Sequence, residues 1–121
     1  NTWPLMDGRF VPTGLARLEP AWLNLVDNIV AIQFNHRICA YVLAAALMGY
    51  ALATLPAAPT VRARALLVAA LVLAQVAVGI ATLVHVVPIG LALAHQGLAL
   101  ILLLTLVWNA SVLRPRATPG G

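Results

Sequence analysis

Three long apolar runs constrain what this chain can fold into more than any other feature of its sequence. They cover about residues 29–55, 65–87 and 89–112, and short segments containing proline separate them. Each run reaches the roughly 20 residues that an α-helix needs to cross a hydrocarbon core of about 30 Å. We therefore predict an all-α fold, a polytopic transmembrane helical bundle with three membrane spans.

The residue composition excludes a small soluble domain. Hydrophobic residues make up 63% of the chain and charged residues 8%, whereas roughly a quarter of the residues in a soluble protein are charged. A soluble fold of this composition would expose a large apolar surface and aggregate. The basic residues are all arginines, scattered singly or in pairs rather than along one stripe. Nucleic acid is therefore not the partner that they indicate.

The segments around the apolar runs predict the topology. Residues 1–26 combine tryptophans, prolines and charged residues, a mixture typical of an interfacial loop at the level of the lipid headgroups. Residues 27–113 form the three-span region, and residues 114–121 a basic tail. Because positively charged loops stay in the cytoplasm, Arg62 and Arg64 place their turn on that side, together with the tail. We expect a multi-pass protein of the bacterial inner membrane with residues 1–26 in the periplasm.

Two histidines inside the predicted spans are the candidate functional residues. Asp27 or Asn28 is the candidate N-cap of the first span, so His36 lies about eight residues into it. His95 follows Pro88 by about seven residues, and both histidines therefore lie roughly 10 to 12 Å below the same face. Imidazoles at matching depth on separate helices can bind the two faces of one haem iron. We predict that His36 and His95 ligate one haem.

The alternative is a purely structural role for both histidines. Each would then make an interhelical hydrogen bond worth about 1 kcal/mol. For one histidine alone that interpretation would be preferred. Two at the same depth favour the haem site, because ionisable side chains that persist in a hydrocarbon core indicate function.

Four further residues near the predicted site have candidate roles. Arg37 could pair with a haem propionate or extend to a lipid phosphate. Gln33 shares a helix face with His36 and could accept or donate a hydrogen bond at its second ring nitrogen. His85 lies at the end of the second run and is either interfacial or a proton carrier. Cys39, the only cysteine, excludes an internal disulfide and is expected to fill space.

Four segments resemble consecutive landmarks of a known family. They are NTWPLMDGR at residues 1–9, QFNHR at 33–37, GIATL at 79–83 and LAHQ at 93–96. In order and spacing they resemble the C-terminal half of the haem A synthases, in the subtype found in proteobacteria and mitochondria. The resemblance covers most of the chain, and the first and last segments are the specific ones.

This resemblance implies an activity, a cofactor and partners. Haem A synthases oxidise the 8-methyl group of haem O to a formyl group, which gives haem A for cytochrome oxidase. They have eight spans in two four-helix halves, each with a histidine pair on its second and fourth helices. His36 and His95 match the pair of the second half, which is associated with a haem b cofactor. The implied partners are haem O as substrate, the N-terminal half of the same protein, the lipid bilayer and, as a further candidate, haem O synthase.

The chain also departs from the family pattern. It holds three of the eight spans and begins at Asn1 without a methionine, so we expect a fragment that is inactive alone. Gln33 is the nearest counterpart of an acidic residue that the family places near its substrate-side histidine, which fits a cofactor-binding half. Two alternatives stay open. One is a bis-histidine, cytochrome b-like electron carrier without catalysis of its own, and the other is a structural membrane subunit without a cofactor.

Overall fold

The computed structural model describes residues 2–113, and the regular secondary structure of this part is all helical. A short helix precedes three long ones: α1 (Leu23–Val26), α2 (Ile29–Ala53), α3 (Pro59–Val84) and α4 (Ile89–Leu113). The three long helices are long and apolar enough to cross a membrane. The predicted all-α fold with three spans is confirmed. Asn1 and the predicted basic tail at 114–121 lie outside the described residues.

Asn28 fixes the start of α2. Its side-chain Oδ1 accepts hydrogen bonds from the backbone N–H groups of Val30 and Ala31, at 3.1 and 3.3 Å, which otherwise lack a partner within the helix. Its Nδ2 donates to the Gly14 carbonyl and to Asn24 Oδ1, at 2.8 and 2.9 Å. The N-cap is therefore Asn28 rather than Asp27, and the same side chain attaches the preceding loop to the helix.

The bounds of α3 differ from those of the apolar run 65–87 that predicted it. α3 begins at Pro59, where the fixed φ of proline suits a first helical turn and its missing N–H breaks no hydrogen bond. Arg62 and Arg64 consequently lie on the helix and not in the turn before it. α3 ends at Val84, and His85 is its C-cap.

The turn from α3 to α4 closes α3 with the hydrogen bonds of a Schellman motif. The Val86 N–H donates to the Leu83 carbonyl at 3.1 Å, and the Val87 N–H donates to the Thr82 carbonyl at 2.8 Å. Val86 and Val87 have φ values of 61° and 57°. Such positive φ values are strained for β-branched residues, and glycine usually occupies the first of these positions.

α3 lies between α2 and α4 and packs against both. Val68 and Val72 of α3 form a buried core with Leu102 of α4, and Ala44 and Leu47 of α2 pack against it. This core occupies the middle of the bundle and extends toward the start of α3. We call the end of the bundle at the start of α3 the arginine end, since Arg62 and Arg64 lie there, and the opposite end the histidine end.

α2 and α4 do not pack closely against each other. Among the described residues, their backbones stay more than 8 Å apart, measured between Cα atoms. Near the arginine end their side chains meet, because Asn109 Nδ2 donates a hydrogen bond to Tyr50 Oη at 2.8 Å. Between Ala31 and Ala51, α2 has no buried residue. Contacts between α2 and α4 are therefore made by side chains and not by closely packed backbones.

Candidate functional site

His36 on α2 and His95 on α4 lie near each other toward the histidine end of the bundle. The centres of their rings are 6.3 Å apart, and the ring planes meet at 73°. His36 is exposed and His95 is half-buried. The structure thus brings together the two histidines that the sequence places at matching depth.

The separation of the ring centres equals that of two imidazoles that bind one metal ion from opposite sides. Two metal–nitrogen bonds of roughly 2 Å each, in line, put the ring centres about 6 Å apart. The two ring nitrogens of His95 lie against Gln75 and Gly79 of α3, so the ring would have to turn toward α2 to bind such an ion. In residues 2–113, no group of three or more His, Cys, Asp or Glu side chains could hold a metal ion. Two imidazoles are too few ligands for a bare ion but are a complete axial set for iron held by a porphyrin. The donor set therefore fits haem.

The separation of the α2 and α4 backbones fits the same group. A haem held by His36 and His95 would lie between α2 and α4. Directly packed helices lie 8 to 10 Å apart, whereas the backbones of α2 and α4 are not packed against each other anywhere in residues 2–113. A flat ring could therefore enter between them without separating a packed pair of helices.

Gly79 on α3 leaves the space that the His95 ring occupies. A Cβ atom at position 79 would lie 2.7 Å from His95 Cε1 and 3.3 Å from His95 Nδ1, so any larger residue would have to displace the ring. A Cβ atom at Gly97 on α4, in contrast, would meet no such neighbour within 4 Å. The His95 ring therefore lies directly against the backbone of α3.

Gln75, one helical turn before Gly79, contacts His95 on the same face of α3. Its Nε2 donates a hydrogen bond to the His95 carbonyl at 3.1 Å and lies 3.5 Å from His95 Nε2. Gln75 Oε1 and His95 Nδ1 are both buried, and neither has a hydrogen-bond partner within residues 2–113. Unpartnered buried polar atoms are costly. These two atoms are therefore available for a further hydrogen bond or for a ligand.

Arg37 ties α2 to the N-terminal segment. Its Nη2 donates to the Thr2 carbonyl at 2.9 Å, and its Nη1 lies 3.4 and 3.5 Å from the carbonyls of Pro4 and Leu5. These contacts hold the first residues of the chain beside the histidine end. The contact with a haem propionate that we predicted for Arg37 stays a prediction.

Gln33 lies beside Arg37. Together with Thr2 and Asp7 these two residues line a cavity of about 170 Å³ under the N-terminal segment. The hydrogen bond between Gln33 and a ring nitrogen of His36 stays a prediction. A larger groove of about 510 Å³, which Trp3 lines with other residues, also lies between this segment and α2.

His85 and Cys39 lie apart from the histidine pair. His85 is exposed, and its Nδ1 lies 2.8 Å from the Ala81 carbonyl. Because a carbonyl can only accept, Nδ1 donates this bond and closes the end of α3. This geometry agrees with the interfacial interpretation of His85. Cys39 is exposed on α2.

Neither Gln75 nor Gly79 is among the site residues predicted from the sequence. Gln75 carries the single amide side chain of the apolar run 65–87, and an amide inside a membrane span usually bonds to another helix. The sequence therefore indicates an interhelical hydrogen bond for Gln75. It does not indicate the partner of the amide, because the partner depends on how α3 is rotated against α4.

A histidine pair between two of three apolar helices defines the class of this molecule: it is a polytopic helical membrane protein with a candidate haem site. Comparison with known proteins narrows the class. Residues 1–107 match the model of a protein family described as cytochrome oxidase assembly protein. The chain belongs to this family.

Curated relatives in this family carry the name heme A synthase. That of Chelativorans sp. (strain BNC1) is 51% identical over 92% of this chain and 32% of its own length. That of Sinorhizobium medicae (strain WSM419) is 50% identical over 85% of this chain and 29% of its own length. That of Rhodospirillum centenum (strain ATCC 51521 / SW) is 45% identical over 98% of this chain and 32% of its own length.

The resemblance to haem A synthases is confirmed by these relatives. The chain spans about a third of their length. No solved structure matches the chain.

Proposed function

We propose that this chain is the haem-binding part of a haem A synthase and that His36 and His95 would hold one haem b. The observation that supports this most directly is the 6.3 Å separation of the two imidazoles, which come from different membrane helices. The names of the relatives support the activity of the whole protein, the oxidation of the 8-methyl group of haem O to the formyl group of haem A.

The residues of this chain have distinct parts in that proposal. The bound haem would supply reversible one-electron oxidation and reduction of its iron. His36 and His95 would hold the iron, and Arg37 could turn from the loop carbonyls toward a propionate, a charge-assisted contact. We assign the oxidation of haem O to parts of the protein beyond these three spans. The further partners are those parts, the lipid bilayer and haem O synthase.

The membrane orientation completes the proposal. We infer that the start of α3, with Arg62 and Arg64, lies in the cytoplasm, since positively charged segments are retained there. The N-terminal segment and the histidine end would then face the periplasm of a bacterial cell. The haem would lie nearer to that side of the inner membrane.

The test is the reduced-minus-oxidised absorption spectrum of the intact protein, purified in detergent. We expect a low-spin b-type signal in the parent protein and its loss in both His36→Ala and His95→Ala. His85→Ala is the matched control, because it removes an exposed imidazole outside the pair, and we expect it to keep the signal.

Two results would contradict the proposal. A protein without pigment, or a spectrum indifferent to both substitutions, would refute the bis-histidine site. A b-type spectrum in an intact protein that converts no haem O to haem A would instead identify a bis-histidine electron carrier.

A further inference from the structure

We propose that Gln75 and Gly79 of α3 are positioning residues for His95. Gly79 provides the space in which the imidazole lies, and the Gln75 side chain provides the acceptor for the ring N–H that iron leaves free. This inference rests on the proposed function, because it concerns His95 as an iron ligand.

The Gly79 contact limits where the His95 ring can lie. The ring approaches the α3 backbone so closely that a Cβ atom at position 79 would be 2.7 Å from His95 Cε1. Carbon atoms do not approach to that distance, and the obstacle would be part of a helix backbone unit and unable to rotate away. A methyl group at this position would therefore push the imidazole away from α3.

The orientation of the Gln75 amide follows from its bond to the backbone. Its partner at 3.1 Å is the His95 carbonyl oxygen, which can only accept, so the NH₂ group must point there and Oε1 is directed elsewhere. Oε1 is buried and has no partner within the described residues. The side chain that contacts His95 thus carries a spare acceptor.

The His95 ring carries the matching spare donor. Its Nε2 faces the Gln75 NH₂ group at 3.5 Å, so Nε2 can only accept there and the proton of a neutral ring lies on Nδ1. Nδ1 is buried and has no partner in residues 2–113. One unused donor and one unused acceptor therefore lie on two side chains that already touch.

Iron binding would resolve this mismatch. The metal takes the lone pair of one ring nitrogen, the other keeps its N–H, and metal-bound histidines usually donate that N–H to a carbonyl or carboxylate oxygen. Gln75 Oε1 is the free acceptor on the side chain that already contacts the ring. Such a bond would fix the plane of the ring and raise the basicity of the ligand.

The space provided by Gly79 is tested by Gly79→Ala, with Gly97→Ala on α4 as the matched control. We expect Gly79→Ala to lower the haem affinity of the intact protein in detergent by about tenfold or more, a loss typical of disturbed ligand orientation. Gly97→Ala should leave the affinity unchanged, since its Cβ meets no neighbour. Equal affinities for the two variants would overturn the assignment of Gly79.

The hydrogen bond is tested by Gln75→Leu and Gln75→Glu, with Gln96→Leu on the exposed side of α4 as control. We expect Gln75→Leu to weaken haem binding about 10- to 100-fold and to raise the midpoint potential. Gln75→Glu should restore the affinity and lower the potential below that of the parent, because a carboxylate is the stronger acceptor. A residue that only fills space would not shift the potential in opposite directions.

The outcomes separate this inference from the proposed function. A parent protein without haem, or one that keeps its haem in His95→Ala, overturns both. Haem lost in His95→Ala but bound with parental affinity and potential in Gln75→Leu overturns the inference alone. If Gln75→Leu does not fold, Gln75→Glu decides, and a parental potential in that variant overturns the assignment of Gln75.

Discussion

The Asn28 side chain does two things at once. Its oxygen caps α2, and its NH₂ group bonds to the Gly14 carbonyl and to Asn24, which itself holds the backbone of Arg17 and Leu18. The loop and the first turn of α2 therefore depend on one buried amide. Because Arg37 on the next turns also binds this N-terminal part of the chain, the loop has two separate attachments to the helix.

We predict that Asn28→Ala lowers the free energy of unfolding by about 2 kcal/mol. Loss of an N-cap costs about 1 kcal/mol, and the buried partners left without a bond add a similar amount. Asn28→Asp keeps the cap oxygens but removes both donors, so it should fall between Asn28→Ala and the parent. Thermal unfolding in detergent, followed by circular dichroism, measures the order of the three proteins.

The control for this prediction is Asn35→Ala, which removes an exposed amide from the same helix. It should change the unfolding temperature little, since alanine is the better helix former. If Asn28→Ala and Asn35→Ala unfold together, the network around Asn28 does not stabilise the protein.

The turn between α3 and α4 contains strain that a single substitution would relieve. Val86 has a φ of 61°, and a left-handed conformation costs an L-residue about 1 to 2 kcal/mol. Glycine adopts it without a Cβ clash. We predict that Val86→Gly raises the free energy of unfolding by about 1 kcal/mol, part of the relief being offset by the larger backbone entropy of glycine in the unfolded chain.

Val84→Gly provides the comparison for the turn. Val84 is the last residue of α3, where φ is helical and glycine brings only its entropic cost. The unfolding temperature of the Val84→Gly variant should fall, while that of the Val86→Gly variant rises. A fall in both would mean that Val86 does not strain the turn in the membrane protein.

The long helices could be predicted from the sequence, but their ends could not all be. Apolar runs predict where a helix crosses a membrane, because a segment must be hydrophobic to be stable in the bilayer. They miss helical turns made by polar residues, which is why α3 begins at Pro59, before the run. They also extend past a stop signal with apolar side chains, as at Val86 and Val87, where the backbone turns.

The candidate site could likewise be predicted only in part. The proximity of His36 and His95 could be predicted because depth in a membrane follows from counting residues along each helix. The contacts of His95 with Gln75 and Gly79 required the rotation of α3 about its own axis, which is determined by packing between distant parts of the chain. Likewise, the partners of Arg37 are residues more than thirty positions earlier in the chain, and no local pattern indicates them.

The orientation of the whole bundle can be tested with single cysteines. In a Cys39→Ser background, Thr13→Cys places a thiol in the exposed N-terminal loop and Thr60→Cys one in the exposed first turn of α3. We predict that a membrane-impermeant maleimide labels Thr13→Cys in bacteria whose outer membrane has been permeabilised, and leaves Thr60→Cys unlabelled. Both should react after the inner membrane is opened. The reverse pattern would place the histidine end in the cytoplasm.

The hydrogen bond between Tyr50 and Asn109 links α2 to α4. This bond lies near the arginine end, and His36 lies roughly 21 Å along α2 from Tyr50 at 1.5 Å per residue. A tilt of about 5° at this bond would move His36 by about 2 Å, the length of a bond to a metal. The spacing of the imidazoles is therefore sensitive to small changes of helix tilt at the other end of the bundle.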